Sequence, residues 1–286
     1  MAYILALGSA VLYGAADFLG GLASRRANTI AIVLTSQGIG FVLLALILPL
    51  LPDATPSPGD LVWGGLAGLA GGIGVALLYR ALAVGRMAVV APVTAVCAVI
   101  IPVTAGVLLG ERLAWLTIVG VGLAIVAIVL VSQGAASPAR RRAGAVPRGV
   151  GLALTSGVTI GLFFLALAET DARAGMWPLL AARAAAVTFF GTMALAGVQP
   201  LRMELPVIRI AVAAGVIDVC ANALYLVATR YGQLSVVVTL SSLYPASTVI
   251  LARLILGEHL NAWQAFGLAC ALVAIALIVS GAGSSL

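Results

Sequence analysis

The sequence predicts an all-α integral membrane protein, with ten transmembrane helices arranged as two inverted five-helix repeats around a central cavity. Three observations lead to this fold class. The chain is 63% hydrophobic and only 8% charged, with a mean hydropathy of +1.22, whereas about a quarter of the residues in an ordinary soluble domain are charged. Long apolar runs follow one another along the whole chain, and a Gly-Glu turn occurs twice between such runs. The lipid bilayer is therefore the expected solvent.

Each predicted helix is an apolar run of about 20 residues, the length that a transmembrane helix needs. Short breaks rich in Pro, Gly, Ser, Asn or Arg separate the runs. The longest break, QGAASPARRRAGAVPR over residues 133–148, contains four Arg residues. The predicted spans are 2–22, 29–51, 60–83, 87–109, 113–133, 149–168, 175–198, 206–229, 233–256 and 260–281.

The repeat is predicted from the two Gly-Glu turns, LLGERL at 108–113 and LILGEHL at 254–260. Glu258 and Glu111 are 258 − 111 = 147 residues apart. We therefore expect a first repeat over 1–133, a basic linker over 134–148 and a second repeat over 149–286. An odd number of helices in each repeat gives the two repeats opposite orientations in the membrane. The same shift relates Gly14 to Gly161, Ala81 to Ala228, Gly85 to Gly232, Gly110 to Gly257 and Leu113 to Leu260.

The Gly-Glu turns have a simple structural interpretation. A Gly can end a helix in the left-handed conformation, and a following Glu can open the next helix, where its charge suits the helix dipole. This interpretation predicts a helix–turn–helix signal at the membrane interface. The alternative is a role for Glu111 or Glu258 in gating or proton coupling.

The distribution of Arg predicts the orientation of the chain. All 15 basic residues are Arg, against 9 acidic residues. They lie between apolar runs and not along one face, which argues against nucleic acid as a partner. Because cytoplasmic loops are rich in Arg and Lys, the Arg-rich side is predicted to be cytoplasmic and both termini to lie outside. The Arg residues of this side are Arg25, Arg26, Arg86, Arg140, Arg141, Arg142, Arg148 and Arg202, with Arg80 and Arg209 at helix ends.

Neither a metal site nor a cofactor site is predicted. Cys97, Cys220 and Cys270 each lie in an apolar run, and His259 has no second metal ligand at a suitable spacing. The chain contains no HExxH motif, no Gly-rich phosphate loop after a strand and no Cys-His nucleophile pair. The sequence therefore does not predict an enzyme.

Two polar stripes inside predicted helices are the strongest functional signal. Tyr13 and Asp17 lie four residues apart in the first helix, and Asp218, Asn222 and Tyr225 share one face of the eighth. An acid at the centre of a membrane helix costs about 2.5–3.5 kcal/mol on insertion scales. Such an acid needs a cavity, a partner or a proton, so both stripes are predicted to line the substrate path.

A second interpretation keeps these acids purely structural, with Arg183 in the seventh helix as the partner of either one. An acid that faces a cavity could also relay a proton, so Asp17, Asp218 and Arg183 are further predicted as coupling or gating residues. The 147-residue shift places Phe164 opposite Asp17 and Gly71 opposite Asp218. The two acids are thus not copies of one another, and such an asymmetry suits a specific substrate site.

Aromatic rings and hydroxyl groups complete the predicted site. Rings beside one or two acids suit a neutral zwitterion or an organic cation. Pro92 and Pro245, inside the fourth and ninth predicted helices, would leave backbone carbonyls free to face a wet cavity. The further predicted substrate-binding residues are Tyr79, Thr94, Phe163, Ser241 and Tyr244.

A stripe of small residues predicts one close contact between helices. Gly64, Gly68 and Gly72 recur every four residues in the third helix. Such spacing lets a neighbouring helix backbone approach closely. Because a tight turn joins the third helix to the fourth, we expect the stripe to pack against the fourth helix.

Two long segments that end in the Gly-Glu turns carry a family resemblance. APVTAVCAVIIPVTAGVLLGERL (91–113) and SSLYPASTVILARLILGEHL (241–260) resemble the EamA-type carriers of the drug/metabolite transporter superfamily, and the resemblance covers nearly the whole chain. It implies ten helices and a central cavity lined mainly by the third, fourth, eighth and ninth helices, with help from the first and sixth. It also implies export of amino acids, other metabolites or drugs.

These observations predict a secondary transporter in the inner membrane of a bacterial-type cell. Its expected activity is export of amino acids, including aromatic or other apolar ones, or of similar small metabolites and drugs, by alternating access. The expected partners are a small-molecule substrate and the lipid bilayer, with protons as a further candidate, and the chain can be a monomer or a homodimer. The alternative is a phosphate-sugar or nucleotide-sugar exchanger, which would need several basic residues inside the bundle. Only Arg183 and Arg253 are candidates for that role.

Overall fold

The computed structural model describes residues 1–51, 54–108, 114–133, 148–197, 201–231, 237, 240–241 and 243–282. Within these ranges the fold contains α-helices, two short 3-10 helices and no strand, which confirms the all-α prediction. The ten α-helices are α1 (Ala2–Ser24), α2 (Thr29–Ile47), α3 (Pro58–Val84), α4 (Met87–Leu108), α5 (Trp115–Gln133), α6 (Val150–Ala168), α7 (Trp177–Leu195), α8 (Leu205–Tyr231), α9 (Tyr244–Leu256) and α10 (Ala262–Ala282).

Eight of the helices in the described ranges are long and apolar enough to cross a membrane. The apolar parts of the other two, Trp115–Leu130 and Tyr244–Leu256, are shorter. Most of residues 232–242, where the ninth span is predicted to begin, lie outside the described ranges, as do the linker residues 134–147. The chain is therefore a multi-pass helical membrane protein, and its ten spans stay a prediction.

The helix contacts repeat with a shift of five helices. The α1–α8 contact has its mate in α6–α3, the α3–α7 contact in α8–α2, and the α4–α6 contact in α9–α1. The extensive α5–α10 contact maps onto itself. This pattern is the one that two repeats related by a two-fold axis produce.

Hydrogen bonds between helices occur in pairs whose donor and acceptor residues are related by the 147-residue shift. The Ser9 hydroxyl donates to the Ala221 carbonyl at 3.0 Å, and the Ser156 hydroxyl donates to the Gly74 carbonyl at 2.7 Å. The two donor residues are 147 positions apart (156 − 9), and so are the two acceptor residues (221 − 74). The repeat found in the sequence thus has a counterpart in side-chain contacts.

A second pair of hydrogen bonds obeys the same rule. The Thr94 hydroxyl donates to the Ala153 carbonyl at 3.2 Å, and the Ser241 hydroxyl donates to the Ala6 carbonyl at 3.4 Å. Both hydroxyl side chains are buried. Thr94 and Ser241 therefore join helices at equivalent places of the two repeats.

The glycine stripe of α3 packs against α7, so our expectation that it contacts α4 was wrong. A Cβ atom on Gly68 would lie 2.0 Å from the Ala182 carbonyl oxygen, and one on Gly64 would lie 2.4 Å from the Pro178 carbonyl oxygen. Chain neighbours joined by a short turn need not form the closest contact. The α7 backbone can approach α3 closely because glycine has only a hydrogen atom as its side chain. The close contact thus joins one repeat to the other.

The two prolines occupy different positions in their helices. Pro92 lies inside α4, as predicted. Pro245 lies in the first turn of α9, and the prediction that it interrupts the helix interior was wrong. A first-turn proline frees no carbonyl, because the N–H that it lacks would have no partner within the helix.

Two loops meet at the end of the bundle where α3 and α7 begin, which we call the Asp60 end. Ser57 and Asp60 form a capping box at the start of α3. The Asp60 carboxylate also accepts the Asp171 N–H at 2.8 Å, and the Thr55 N–H donates to the Arg173 carbonyl at 3.0 Å. The start of α3 is thereby tied to the α6–α7 connection, across the two repeats.

Next to this tie, Asp171 forms an exposed ion pair with Arg173 at 2.9 Å. Hydrogen bonds from the Arg173 guanidinium and N–H lower the pKa of Asp171 to about 2. A carboxylate with a lowered pKa contributes stability that is present above its ordinary pKa and lost as the pH falls through the lowered value. The pair consequently keeps both charges at neutral and mildly acidic pH.

Replacing Ser57 by Ala is expected to lower the free energy of unfolding by about 1 kcal/mol, the usual effect of losing a helix N-cap. The hydroxyl accepts the Asp60 N–H at 3.2 Å and donates to the Asp60 carboxylate at 2.7 Å, so both contacts are lost together. Thermal unfolding in detergent measures the change. Ser57→Thr keeps the hydroxyl and is the control, and equal stability of the two variants would contradict the prediction.

The Gly-Glu turn at 257–258 differs from its prediction in one respect. Gly257 is left-handed with φ of 64°, as expected. Glu258 does not open α10, whose first turn is capped by Asn261 through the Gln264 N–H at 2.8 Å. Its carboxylate faces the start of α4 instead, since helix packing brings that N-terminus closer. Glu111 lies outside the described residues.

Candidate functional site

An ion pair at mid-depth in the bundle forms the centre of the candidate site. Asp218 is the central residue of α8, and its Oδ2 accepts a hydrogen bond from Nη2 of Arg183 on α7. Arg183 Nη1 also donates to Oε1 of Gln37 on α2 at 2.6 Å. Gly40 makes room for the guanidinium, because a Cβ there would lie 2.5 Å from Nη1. The pairing of Asp218 with Arg183 is thus one of the arrangements that the sequence suggested.

Asn222 extends the polar group by one turn of α8. Its Nδ2 donates to the Asp218 carbonyl at 2.7 Å and lies 3.4 Å from the Asp218 carboxylate. Arg183 is buried, and its Nε has no hydrogen-bond partner among the described residues. A guanidinium carries five N–H donors, so this one retains a donor for a further acceptor.

A cleft between α2, α7 and α8 leads to this polar group. Arg183 and Asn222 are its polar lining residues, and the rest of its lining is apolar. It extends to Leu51 and Met176 near the Asp60 end. Of the helices that the family resemblance implied, only α8 lines this cleft. The apolar lining residues are Leu44, Ile47, Leu51, Met176, Leu179, Val219, Ala223 and Val227.

Tyr13 and Asp17 approach the same group from α1. Tyr13 lies close enough to interact electrostatically with Asp218 and Arg183, and Asp17 with Asp218. Unlike Asp218, Asp17 forms no ion pair with any residue in the described ranges. The structure therefore brings the two predicted polar stripes together, on the α1–α8 contact.

Three further tyrosines lie near Asp17 or Tyr13. Tyr79 on α3 and Tyr244 on α9 both lie within electrostatic range of Asp17. The Tyr79 ring fills the space beside Gly20, where a Cβ would lie 2.1 Å from the ring. Tyr225 lies near Tyr13 and packs against a small cluster around Ala6. Tyr79 and Tyr244 therefore lie near Asp17, and Tyr225 lies near Tyr13.

The remaining predicted site residues lie elsewhere. Thr94 and Ser241 lie in the helix contacts described above. The Phe163 ring packs on Gly71, where an added Cβ atom would lie 2.8 Å from the ring. Gly71 is the repeat mate of Asp218, so the α3–α6 contact is the apolar counterpart of the polar α1–α8 contact. Substrate binding by these three residues stays a prediction.

The sequence analysis missed the contribution of α2. Gln37, Gly40 and Leu44 share one face of this helix, with Gln37 on the guanidinium and Leu44 in the cleft wall. A signal was present, since Gln37 is the only amide in a predicted span that is otherwise apolar except for hydroxyl residues. A lone amide in a membrane span indicates a polar partner inside the bundle, but the sequence does not identify that partner as Arg183.

Comparison with known proteins decides the family. The family model of the EamA-like transporter family matches residues 1–133 and 147–280. The chain belongs to the EamA-like transporter family. This membership confirms the resemblance read from the Gly-Glu segments, and it makes the protein a membrane transporter of small solutes. Members of this family are generally not enzymes.

A solved structure supports the fold of this EamA-family chain. A protein determined by crystallography matches it with a TM-score of 0.61 at 18% sequence identity, over 96% of this chain and 95% of its own. At that identity the likeness shows the fold alone. No curated protein matches the chain.

Proposed function

We propose that this EamA-family transporter exports small zwitterions with an apolar side chain, apolar and aromatic amino acids foremost, across a bacterial inner membrane. One observation carries the proposal: the buried Arg183 is paired with Asp218, the central residue of α8, and Arg183 also lines an apolar cleft. Ionisable groups within transmembrane helices mark substrate or ion pathways in membrane proteins.

The two ends of a zwitterion match the two charged groups. The substrate carboxylate takes the place of Asp218 beside Arg183, where paired N–H donors suit a planar carboxylate. The ammonium group then binds the displaced Asp218. The apolar side chain lies along Leu44, Leu179 and Val219. Each substrate charge replaces a charge of the protein, so neither member of the ion pair loses its partner.

The same arrangement fits alternating access around a midplane site. Both ends of the bundle carry contacts between the repeats, and the cleft extends toward the Asp60 end alone. By the Arg distribution the Asp60 end faces outward and the opposite end faces the cytoplasm. The described state is then the outward-facing one, from which an exporter releases its substrate.

Asp17 is the proposed proton carrier in this scheme. An acid inside a membrane protein needs a counter-charge or a proton. Asp218 has Arg183, whereas Asp17 has no ion-pair partner in the described part of the chain. A proton gradient would therefore act through Asp17.

A phosphate-ester substrate is less well matched. Within the described ranges Arg183 is the one basic residue at the ion-pair site, and Arg253 is exposed in the last turn of α9. A dianionic phosphate would also repel Asp218 and Asp17. We therefore do not propose the phosphate-sugar exchanger.

The proposal predicts saturable counterflow of labelled leucine or phenylalanine in proteoliposomes that contain the purified protein. Excess unlabelled substrate inside should drive uptake, and glutamate should compete at least about tenfold less well, because its carboxylate costs free energy in an apolar cleft. An imposed pH gradient should accelerate net transport. Protein-free liposomes are the control. Saturable exchange of a sugar phosphate, or no transport of any zwitterion, would overturn the proposal.

A further inference from the structure

Glu258 connects three segments at the end of the bundle opposite the Asp60 end, which we call the Glu258 end. Its carboxylate accepts the N–H groups of Met87 at 3.2 Å and Ala88 at 3.1 Å, the first two residues of α4. It also pairs with Arg25, just after α1, at 3.4 Å. The Glu258 side chain is only 12% exposed.

The carboxylate of Glu258 meets positive charge both at the N-terminus of α4 and at Arg25. The first N–H groups of a helix have no partner within it and carry part of the positive end of the helix dipole. Glu258 satisfies two of them and meets a guanidinium as well. Arg25 in turn reaches the Leu82 carbonyl near the end of α3, at 3.4 Å.

A second tie lies beside the first. Arg86, the residue before α4, donates to the His259 carbonyl and to Gln264 Oε1, the latter at 3.2 Å. Gln264 is fully buried and also accepts the Asn261 N–H at 3.2 Å. The α9–α10 turn is thus held against the start of α4 by both its acid and its backbone.

The contacts that Glu258 makes with α4 and Arg25, and those that Arg86 makes with His259 and Gln264, join one repeat to the other. Arg25, Arg86 and the start of α4 belong to the first half of the chain, and Glu258, His259 and Gln264 to the second. Alternating access moves one repeat against the other. The Glu258 end can therefore open only if these contacts break.

We propose that Glu258 is a positioning residue for transport, whose carboxylate holds the Glu258 end closed and thereby stabilises the state that is open at the Asp60 end. The inference rests on the alternating access of the proposed function. Loss of the carboxylate shifts the equilibrium between the two end states, whereas loss of a merely structural contact would loosen both ends.

Two cysteine reporters test this in purified protein, without any substrate. Cys97, Cys220 and Cys270 are first replaced by Ala. Ser24→Cys then places a thiol at a buried position at the Glu258 end, and Val227→Cys places one in the cleft. A membrane-impermeant maleimide reports how often each position is open to water. Addition of Glu258→Gln is expected to accelerate labelling of the first reporter roughly fivefold or more, and to slow labelling of the second.

Controls separate this from a general effect. Glu169→Gln removes an exposed acid near the Asp60 end and should change neither rate. Arg25→Gln removes only the ion pair and should shift both rates in the same directions as Glu258→Gln, but less. Faster labelling of both reporters, or no change in either, would overturn the inference. Failure of the proposed function is seen separately, as wild-type protein that transports no zwitterion.

Discussion

Asp218→Asn is expected to lower transport of a zwitterion about 10- to 100-fold at a substrate concentration below KM, while the protein still inserts into the membrane. A hydrogen bond to a charged group contributes about 1.5–3 kcal/mol, and the variant loses this contact with the substrate ammonium group. It also leaves Arg183 buried without its counter-charge, which destabilises a protein by about 3–5 kcal/mol. Counterflow per folded molecule, normalised by size-exclusion chromatography, measures the transport effect.

Two further variants separate binding from stability. In the double variant Asp218→Asn with Arg183→Gln both members of the ion pair are neutral, so the stability should recover in part while transport does not. Asp171→Asn, which breaks the exposed ion pair with Arg173, is the control and should transport like the wild type. Wild-type flux in Asp218→Asn would remove this residue from the substrate site.

Gly68→Val is expected to have the largest effect on the fold. A Cβ atom at this position would lie 2.0–2.5 Å from three backbone atoms of Ala182. No rotamer relieves a clash with backbone, so α3 and α7 must separate. Overpacking of this kind costs about 1–3 kcal/mol and occasionally more, and here it also opens a contact between the repeats. Thermal unfolding in detergent should show the loss as a lower melting temperature and a smaller folded fraction.

A neighbouring glycine provides the matched control for this variant. Gly65 lies in the same helix, and a Cβ there would meet nothing within 4 Å. Gly65→Val should therefore leave the melting temperature nearly unchanged or raise it slightly, because Gly is unfavourable in a helix interior. Equal losses from both substitutions would mean that helix propensity and not backbone contact decides the outcome.

Much of the fold could be predicted because its signals are local or periodic. Apolar runs located most of the helices to within a few residues, and the 147-residue shift found in the sequence recurs in the hydrogen bonds of Ser9 and Ser156. The partner of the glycine stripe could not be predicted in the same way. Small residues indicate that some backbone approaches closely, but which one depends on the packing of the whole bundle.

The candidate site shows the same division. The stripes at Asp17 and Asp218 were visible because charged residues are costly in an apolar helix, and Arg183 was a natural partner. Gln37 and the cleft wall on α2 could not be assigned, since their role depends on contacts between helices far apart in the chain. Glu258 was predicted to interact with the N-terminus of the helix that follows it in the chain, whereas in the structure it binds the N-terminus of α4.

The asymmetry of the two equivalent helix contacts has a thermodynamic consequence. In a chain made of two identical halves, a two-fold rotation about an axis in the membrane plane would interconvert the outward-facing and inward-facing states, which would have equal free energy. Here one contact carries Asp218 and the other carries Gly71 packed under Phe163. Differences of this kind between the repeats remove the degeneracy, because charged groups are solvated differently in the two states. The preferred resting state of this transporter is therefore a property of the divergence between its halves.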